Sequence, residues 1–252
     1  MDIRRNSGWR IVGAVLAVAI LAGCGFLGLD PTPDYRYRLT VEVDTPQGLR
    51  SGSSVIEVET DVASATTIPS PGSVSHRVRG EAVAVDLPDG RTLFALLRSG
   101  TDADWASRVM SMLAPDPPDD VEDRFQARFD NLLALEGKLT LPRMWPPVGH
   151  LEERSAYPML VTFGDIAVPT SVTEVDPDDL AATFGEDYAL RRITVELTDA
   201  PVTTGIEKRL GWLPNYFDKM LDGRRLHSFD EDAPFANELS QGDFSRGILN
   251  GL

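Results

Sequence analysis

The residues able to do chemistry are few and far apart. Cys24 is the only thiol in 252 residues. That excludes an internal disulfide and a cysteine-built zinc site. Three histidines, His76, His150 and His227, are spread along the chain, and a catalytic imidazole needs a partner within hydrogen-bond reach. His76 falls between Val74 and Val78 on one strand face, the place of a structural histidine. Ser51-Gly52-Ser53-Ser54 offers hydroxyls, but its composition reads as a hairpin connection. Carboxylates gather at Asp116/Asp119/Asp120, at Asp176/Asp178/Asp179 and at Asp230/Glu231/Asp232. Such oxygens suit calcium, yet none of the three has the spacing of a calcium loop. The first two stand where helix caps are expected, and the third reads as a solvated tail. There is no G-x-S-x-G, H-E-x-x-H, phosphate-binding loop or G-x-G-x-x-G after a strand. No catalytic residue, metal site or cofactor is therefore assigned.

One segment stands out from the rest. Thr203 to Trp212 (TTGIEKRLGW) concentrates two glycines, a Lys-Arg pair and a tryptophan, with Tyr216 and Phe217 just beyond. Aromatic and arginine side chains together make interface anchors, which nominates Arg209, Trp212 and Tyr216 as a binding face. The competing reading is that Trp212, Tyr216 and Phe217 pack a terminal helix onto a sheet.

Charge narrows the function classes. Acidic residues number 39 against 24 basic, a formal net charge of −15. Neutralising phosphates needs a basic surface, so a nucleic-acid partner is excluded. Only Lys138, Lys208 and Lys219 are lysines; the other basic residues are arginines. On so acidic a chain this reflects codon composition more readily than phosphate recognition.

The N-terminus carries the strongest signal. Arg4, Arg5 and Arg10 precede Ile11–Ala22, an apolar and small-residue run of 12 positions. A bilayer-spanning helix needs roughly 20 residues, so the run fits a secretory signal core instead. It ends in Leu21-Ala22-Gly23-Cys24, which resembles the lipobox of bacterial lipoproteins at every position. The resemblance implies cleavage before Cys24, a diacylglycerol thioether on its sulfur and an acylated new N-terminus. Several acyl chains hold a protein stably on a membrane where one alone does so marginally. Gly25, rather than Asp, follows the cysteine, which favours the outer membrane.

The elements that carry the rest read as follows. Residues 1–23 are the signal peptide, and 24–34 are the lipidated cysteine and a Pro/Gly tether. Residues 35–222 form an α+β domain, and 223–252 form a polar C-terminal tail able to pack on it. Tyr35–Thr45 alternates cleanly, with Tyr35, Tyr37, Leu39, Val41 and Val43 on one face. Pro46–Ser53 turns it into a second strand over Ser54–Thr60. Val74–Leu87, Pro88-Asp89-Gly90 and Thr92–Leu97 predict a second hairpin. Thr101 and either Asp119 or Asp120 cap two helices, one lined by Trp105, Val109 and Leu113, the other by Val121, Phe125, Phe129, Leu132 and Leu133. Pro158–Phe163 reads as a buried strand, Asp176–Asp179 as a helix start, Leu190–Leu197 as a strand and Pro214–Leu221 as a last short helix. The expected architecture is an antiparallel, hairpin-rich sheet with inserted helices.

Parts of this body (Tyr35–Val58, Arg79–Leu87, Tyr157–Phe163, Ser171–Gly185 and Val202–Leu213) resemble those of a family of proteobacterial proteins with no assigned activity. The resemblance implies a single folded unit and no chemistry. The expected function is that of a lipid-anchored adaptor, binding or structural component on the periplasmic side of the cell envelope. Its partners would be the membrane, through Cys24, and an envelope protein. The alternative is an envelope hydrolase using paired carboxylates, which leave no local sequence signature.

Overall fold

The alternation of β1 (Tyr35–Asp44) is reproduced residue by residue in a computed structural model of the chain, which describes residues 34–62, 74–147, 153–230 and 232–248. Every odd position from Tyr35 to Val43 is buried and every even one is half-exposed. Beyond it come β2 (Arg50–Val62), β3 (Val74–Glu81), β4 (Val83–Asp86) and β5 (Thr92–Ala95), then α1 (Trp105–Leu113) and α2 (Arg124–Leu133). Next are β6 (Leu139–Thr140), β7 (Met144–Trp145), β8 (Arg154–Ser155), β9 (Leu160–Phe163) and β10 (Val172–Glu174). The chain ends with α3 (Leu180–Phe184), β11 (Ala189–Leu197), α4 (Gln241–Phe244) and β12 (Ser245–Arg246). The fold is α+β, and all strand pairs are antiparallel.

Two sheets do the structural work. The larger has the order β12-β3-β2-β1-β11-β6, and the smaller β10-β9-β5-β4. Only Ala82 separates β3 from β4, so one stretch of chain crosses from the first sheet to the second. The inner face of the large sheet packs on α1 and α2 in one core. Two buried tyrosines hold α1 there: Tyr37 Oη donates to Ala106 O at 2.7 Å and Tyr35 Oη to Ser107 O at 3.4 Å. Burial pushes both phenols upward in pKa. The small sheet separates this core from a second one. Along β5, Leu93 and Ala95 face the first core, while Phe94 faces the second.

Several expectations are corrected. Ser51-Gly52-Ser53-Ser54 is not a connection but part of β2, where Ser51 to Ser54 pair with Glu42 to Leu39. The turn is Thr45–Leu49, closed by the Gly48 N–H donating to Thr45 O at 2.9 Å. Gly52 serves close approach: a Cβ there would lie 2.1 Å from Ala84 O of β4. The helix caps also move. Asp104, not Thr101, precedes α1. Asp123, not Asp119 or Asp120, caps α2 by accepting the Gln126 N–H at 2.9 Å. The short helix expected at Pro214–Leu221 is a single 3-10 turn, Leu213–Tyr216. The Ser/Thr/Pro-rich loop expected at Ala63–Gly72 lies outside the described residues.

The C-terminal segment is built into the body. Ala236, Leu239 and Phe244 are buried in the second core with Phe94 and Phe163. β12 adds to β3, the Leu97 N–H donates to Asp243 O at 2.9 Å, and the Ala82 N–H donates to Phe244 O at 2.8 Å. Its apolar residues are too sparse and irregularly spaced to show a helical or strand period.

Candidate functional site

The segment from Thr198 to Tyr216 runs from the end of β11 to the second core. Thr203 is tied twice to Val55: its N–H donates to Val55 O at 3.1 Å, and its hydroxyl accepts the Val55 N–H at 2.9 Å. Gly205 then adopts φ +112, a left-handed conformation that favours glycine. This turns the N–H groups of Gly205 and Ile206 onto the buried carboxylate of Glu81, at 3.0 and 2.9 Å. Burial is the main cause holding the Glu81 pKa above the usual carboxyl range, the two N–H donors pull it down, and the Glu207 charge adds to the rise.

Arg209, Trp212 and Tyr216 lie on this segment, and each has an intramolecular partner. Arg209 forms a two-pronged ion pair with Asp86 of β4, at 2.5 and 2.7 Å. That hydrogen-bonded guanidinium lowers the Asp86 pKa. Trp212 Nε1 donates to Ile166 O at 2.8 Å, and its ring meets Phe163, Tyr216 and Phe244 at centroid distances of 5.7, 5.4 and 6.2 Å. Both aromatic residues pack against the second core while keeping an exposed edge. Phe217, the next aromatic residue, is 67% exposed. The packing reading thus accounts for Trp212 and Tyr216 but not for Phe217.

The arginines elsewhere are similarly engaged. Across the outer face of the large sheet, Arg36 meets Glu57 (2.6 Å), Arg77 meets Glu59 (2.9 Å) and Arg192 meets Glu42 (2.8 Å). Each of these pairs joins neighbouring strands, the arrangement that favours opposite charges across a ladder. Arg91 donates to Thr183 O and Phe184 O, both at 2.8 Å, and so closes the C-terminal end of α3.

Among the described residues, no group of three or more histidine, cysteine or acidic side chains is placed to hold a metal. Asp179 caps α3 by accepting the Ala182 N–H at 3.0 Å, and Asp178 pairs with Arg143 at 2.8 Å. His76 shares a hydrogen bond with Thr60 at 3.1 Å, and burial followed by the Arg108 charge lowers its pKa. His227 packs edge-on to Phe229 at 5.4 Å. For a hydrolase using paired carboxylates, two surface depressions offer acids: one is lined by Asp34, Glu57 and Asp199, the other by Asp116 and Asp119. The first holds the most enclosed of these acids, Glu57 on β2. There Arg36 and, at 3.7 Å, Arg79 neutralise Glu57. Burial first, then the Glu59 and Glu57 charges, raise the Asp34 pKa. Cys24 and His150 lie outside the described residues.

The residues not nominated from sequence are Leu226 and Phe229, 79% and 97% exposed. The available signal was their setting. They occur in Asp222-Gly223-Arg224-Arg225-Leu226-His227-Ser228-Phe229, which has turn residues and no apolar period. Compared with family models, curated proteins and solved structures, the chain matches none of them.

Proposed function

We propose that this chain is a lipid-anchored protein of the bacterial cell envelope that acts as a non-catalytic adaptor, binding or structural component. The observation that carries the reading is the N-terminal order of charge, apolar run and Leu21-Ala22-Gly23-Cys24, with the chain's only thiol at the acylation position. Cys24 stands eleven positions before Tyr35, the first residue of the central strand β1, so a short tether would join the lipid to the body. Among the described residues no helix is long and apolar enough to cross a membrane. The reading against nucleic acid draws support from the engagement of arginines with the chain's own carboxylates and from the net charge of −15. The reading against catalysis draws support from the same use of acids, as helix caps and ion-pair partners.

The test is metabolic labelling with an alkyne fatty acid, followed by mass spectrometry of the N-terminal peptide. The expected result is an acylated peptide beginning at Cys24, and no label in Cys24→Ser. An unlabelled chain carrying its intact N-terminus would refute the anchor. Hydrolase activity in the purified chain that Asp34→Asn abolishes would move the assignment to the carboxylate depression.

A further inference from the structure

Phe217 to Phe229 links the segment just described to the last buried stretch of the chain. It is held firmly. Asn237 is wholly buried, and its side chain makes three hydrogen bonds to this loop. Its Oδ1 accepts the Ser228 N–H at 2.5 Å, and its Nδ2 donates to Asp222 Oδ2 at 2.8 Å and to Leu226 O at 3.3 Å. The Met220 N–H donates to Arg224 O at 2.7 Å, across a turn in which Gly223 has φ +86. Arg225 and Asp218 form an exposed salt bridge of 3.7 Å within the same loop.

Leu221 anchors the loop in the second core, yet three other apolar side chains face outward. Phe217 is 67%, Leu226 79% and Phe229 97% exposed. A buried asparagine with three bonds is more than a plain connection requires, and a loop fixed in shape loses less entropy on binding. Leu226 and Phe229 stand three positions apart in this fixed loop, both almost fully in solvent, which makes them the apolar side chains most open to being covered.

We infer that Leu226 and Phe229 form a preformed knob that inserts into an apolar cleft of an envelope protein, a cleft bordered by lysine or arginine side chains. The inference rests on the adaptor reading and gives it a contact face. Charge selects the partner. Asp230 and Asp232 stand directly after Phe229, on a chain of net charge −15. Arg224 and Arg225 pair with Asp222 and Asp218 of the loop, and over residues 217–232 five acids stand against three basic residues. A basic rim attracts this surface and an acidic one repels it. The same charges disfavour a bilayer, because inserting Phe229 presses Asp230 and Asp232 toward lipid phosphates. They also disfavour a second copy of this chain, which brings the same acids.

The experiment places photoreactive p-benzoylphenylalanine at position 229 of the full chain in its native envelope, with position 49 as an exposed control on the β1–β2 turn. The expected result is one protein adduct from position 229 and none from 49. Its crosslinked residue on the partner should map to an apolar cleft bordered by Lys or Arg. Leu226→Asp should cut the adduct yield at least about tenfold, the loss expected of a central anchor. The double variant Asp230→Lys, Asp232→Lys should lower the yield as well, and neither variant should change the melting temperature. No adduct, an adduct to lipid or to a second copy, or a crosslink to a flat or acidic surface overturns the inference. So does flotation of the Cys24→Ser chain with vesicles of phosphatidylcholine and phosphatidylglycerol in equal parts, if Leu226→Asp abolishes it. Acyl labelling keeps the two readings apart. An unacylated chain that crosslinks at 229 loses the anchor and keeps the knob; an acylated chain with no adduct does the reverse.

Discussion

Thr203–Tyr216 and Phe217–Phe229 are consecutive stretches built from the same kinds of residue: glycine, basic side chains and aromatic rings. The first spends them inward. Its glycine admits a carboxylate cap from Glu81, its arginine pairs with Asp86, and its tryptophan bonds Ile166 and lies on Phe163 and Phe244. The second spends its polar groups on its own shape and leaves Leu226 and Phe229 in solvent. What separates them is what lies underneath. The first passes over the apolar face of the small sheet, where aromatic rings find partners. The second reaches that core only through Leu221; beyond it the loop is clamped by the amide of Asn237, which binds backbone and carboxylate.

The contrast can be broken by substitution, and the largest effect is expected at Trp212. Replacing it with Ala removes a ring that packs on three others and should cost about 3 kcal/mol, near the low end for core aromatic residues because one edge is exposed. A denaturant midpoint gives the value; a loss below about 1 kcal/mol would return Trp212 to the list of free anchors. Next is Asn237→Ala, which leaves three loop groups without their partner and should cost about 1–3 kcal/mol. Hydrogen exchange should quicken at the Ser228 amide while β1 stays protected. Equal loosening of both would mean that the asparagine supports the whole body rather than the loop.

A smaller effect, visible as a slope, is expected at Glu81. Its pKa is raised in the folded state, so folded protein holds the proton more tightly than unfolded chain. Its stabilising contribution is then fully present below the unfolded carboxyl pKa and is lost as pH rises through the folded value. Glu81→Gln cannot accept both N–H donors and should be weaker at every pH, but its urea midpoints should change less with pH over that window. A slope as steep as in the parent would assign the pH dependence to another group. The smallest effect belongs to Phe229→Asp. With the side chain 97% exposed, stability should stay within about 0.5 kcal/mol. A larger fall in the thermal midpoint would show that the outward-facing ring is part of the core after all.

Much of the fold was legible because alternation reports burial directly. Tyr35–Asp44 placed its apolar face correctly, Leu190–Leu197 lies within β11, and Asp176–Asp179 leads into the short helix Leu180–Phe184. The errors share one origin. Glycine and serine at 51–54 have the same composition whether they turn the chain or make room for another strand, and the strand that approaches Gly52 is β4, at Ala84, 32 positions further on. Arg209, Trp212 and Tyr216 read from sequence as a binding face, and local sequence carries no record of Asp86, Ile166 or Phe163 as partners within the chain. Leu226 and Phe229 carry no local signal of their own, because exposure is a property of what fails to arrive from elsewhere.

By itself, then, the sequence determined two things: the antiparallel α+β character, through period-two patterning, and the acidic balance of charge, through composition. The first is written in neighbouring residues, where covalent spacing alone sets the geometry, and the second needs no geometry at all. The tertiary structure decided which aromatic rings are packed and which are presented, which carboxylates are caps, and that the last stretch of chain belongs to the core. Those outcomes depend on groups brought together from distant positions, and only closure of the chain makes them neighbours.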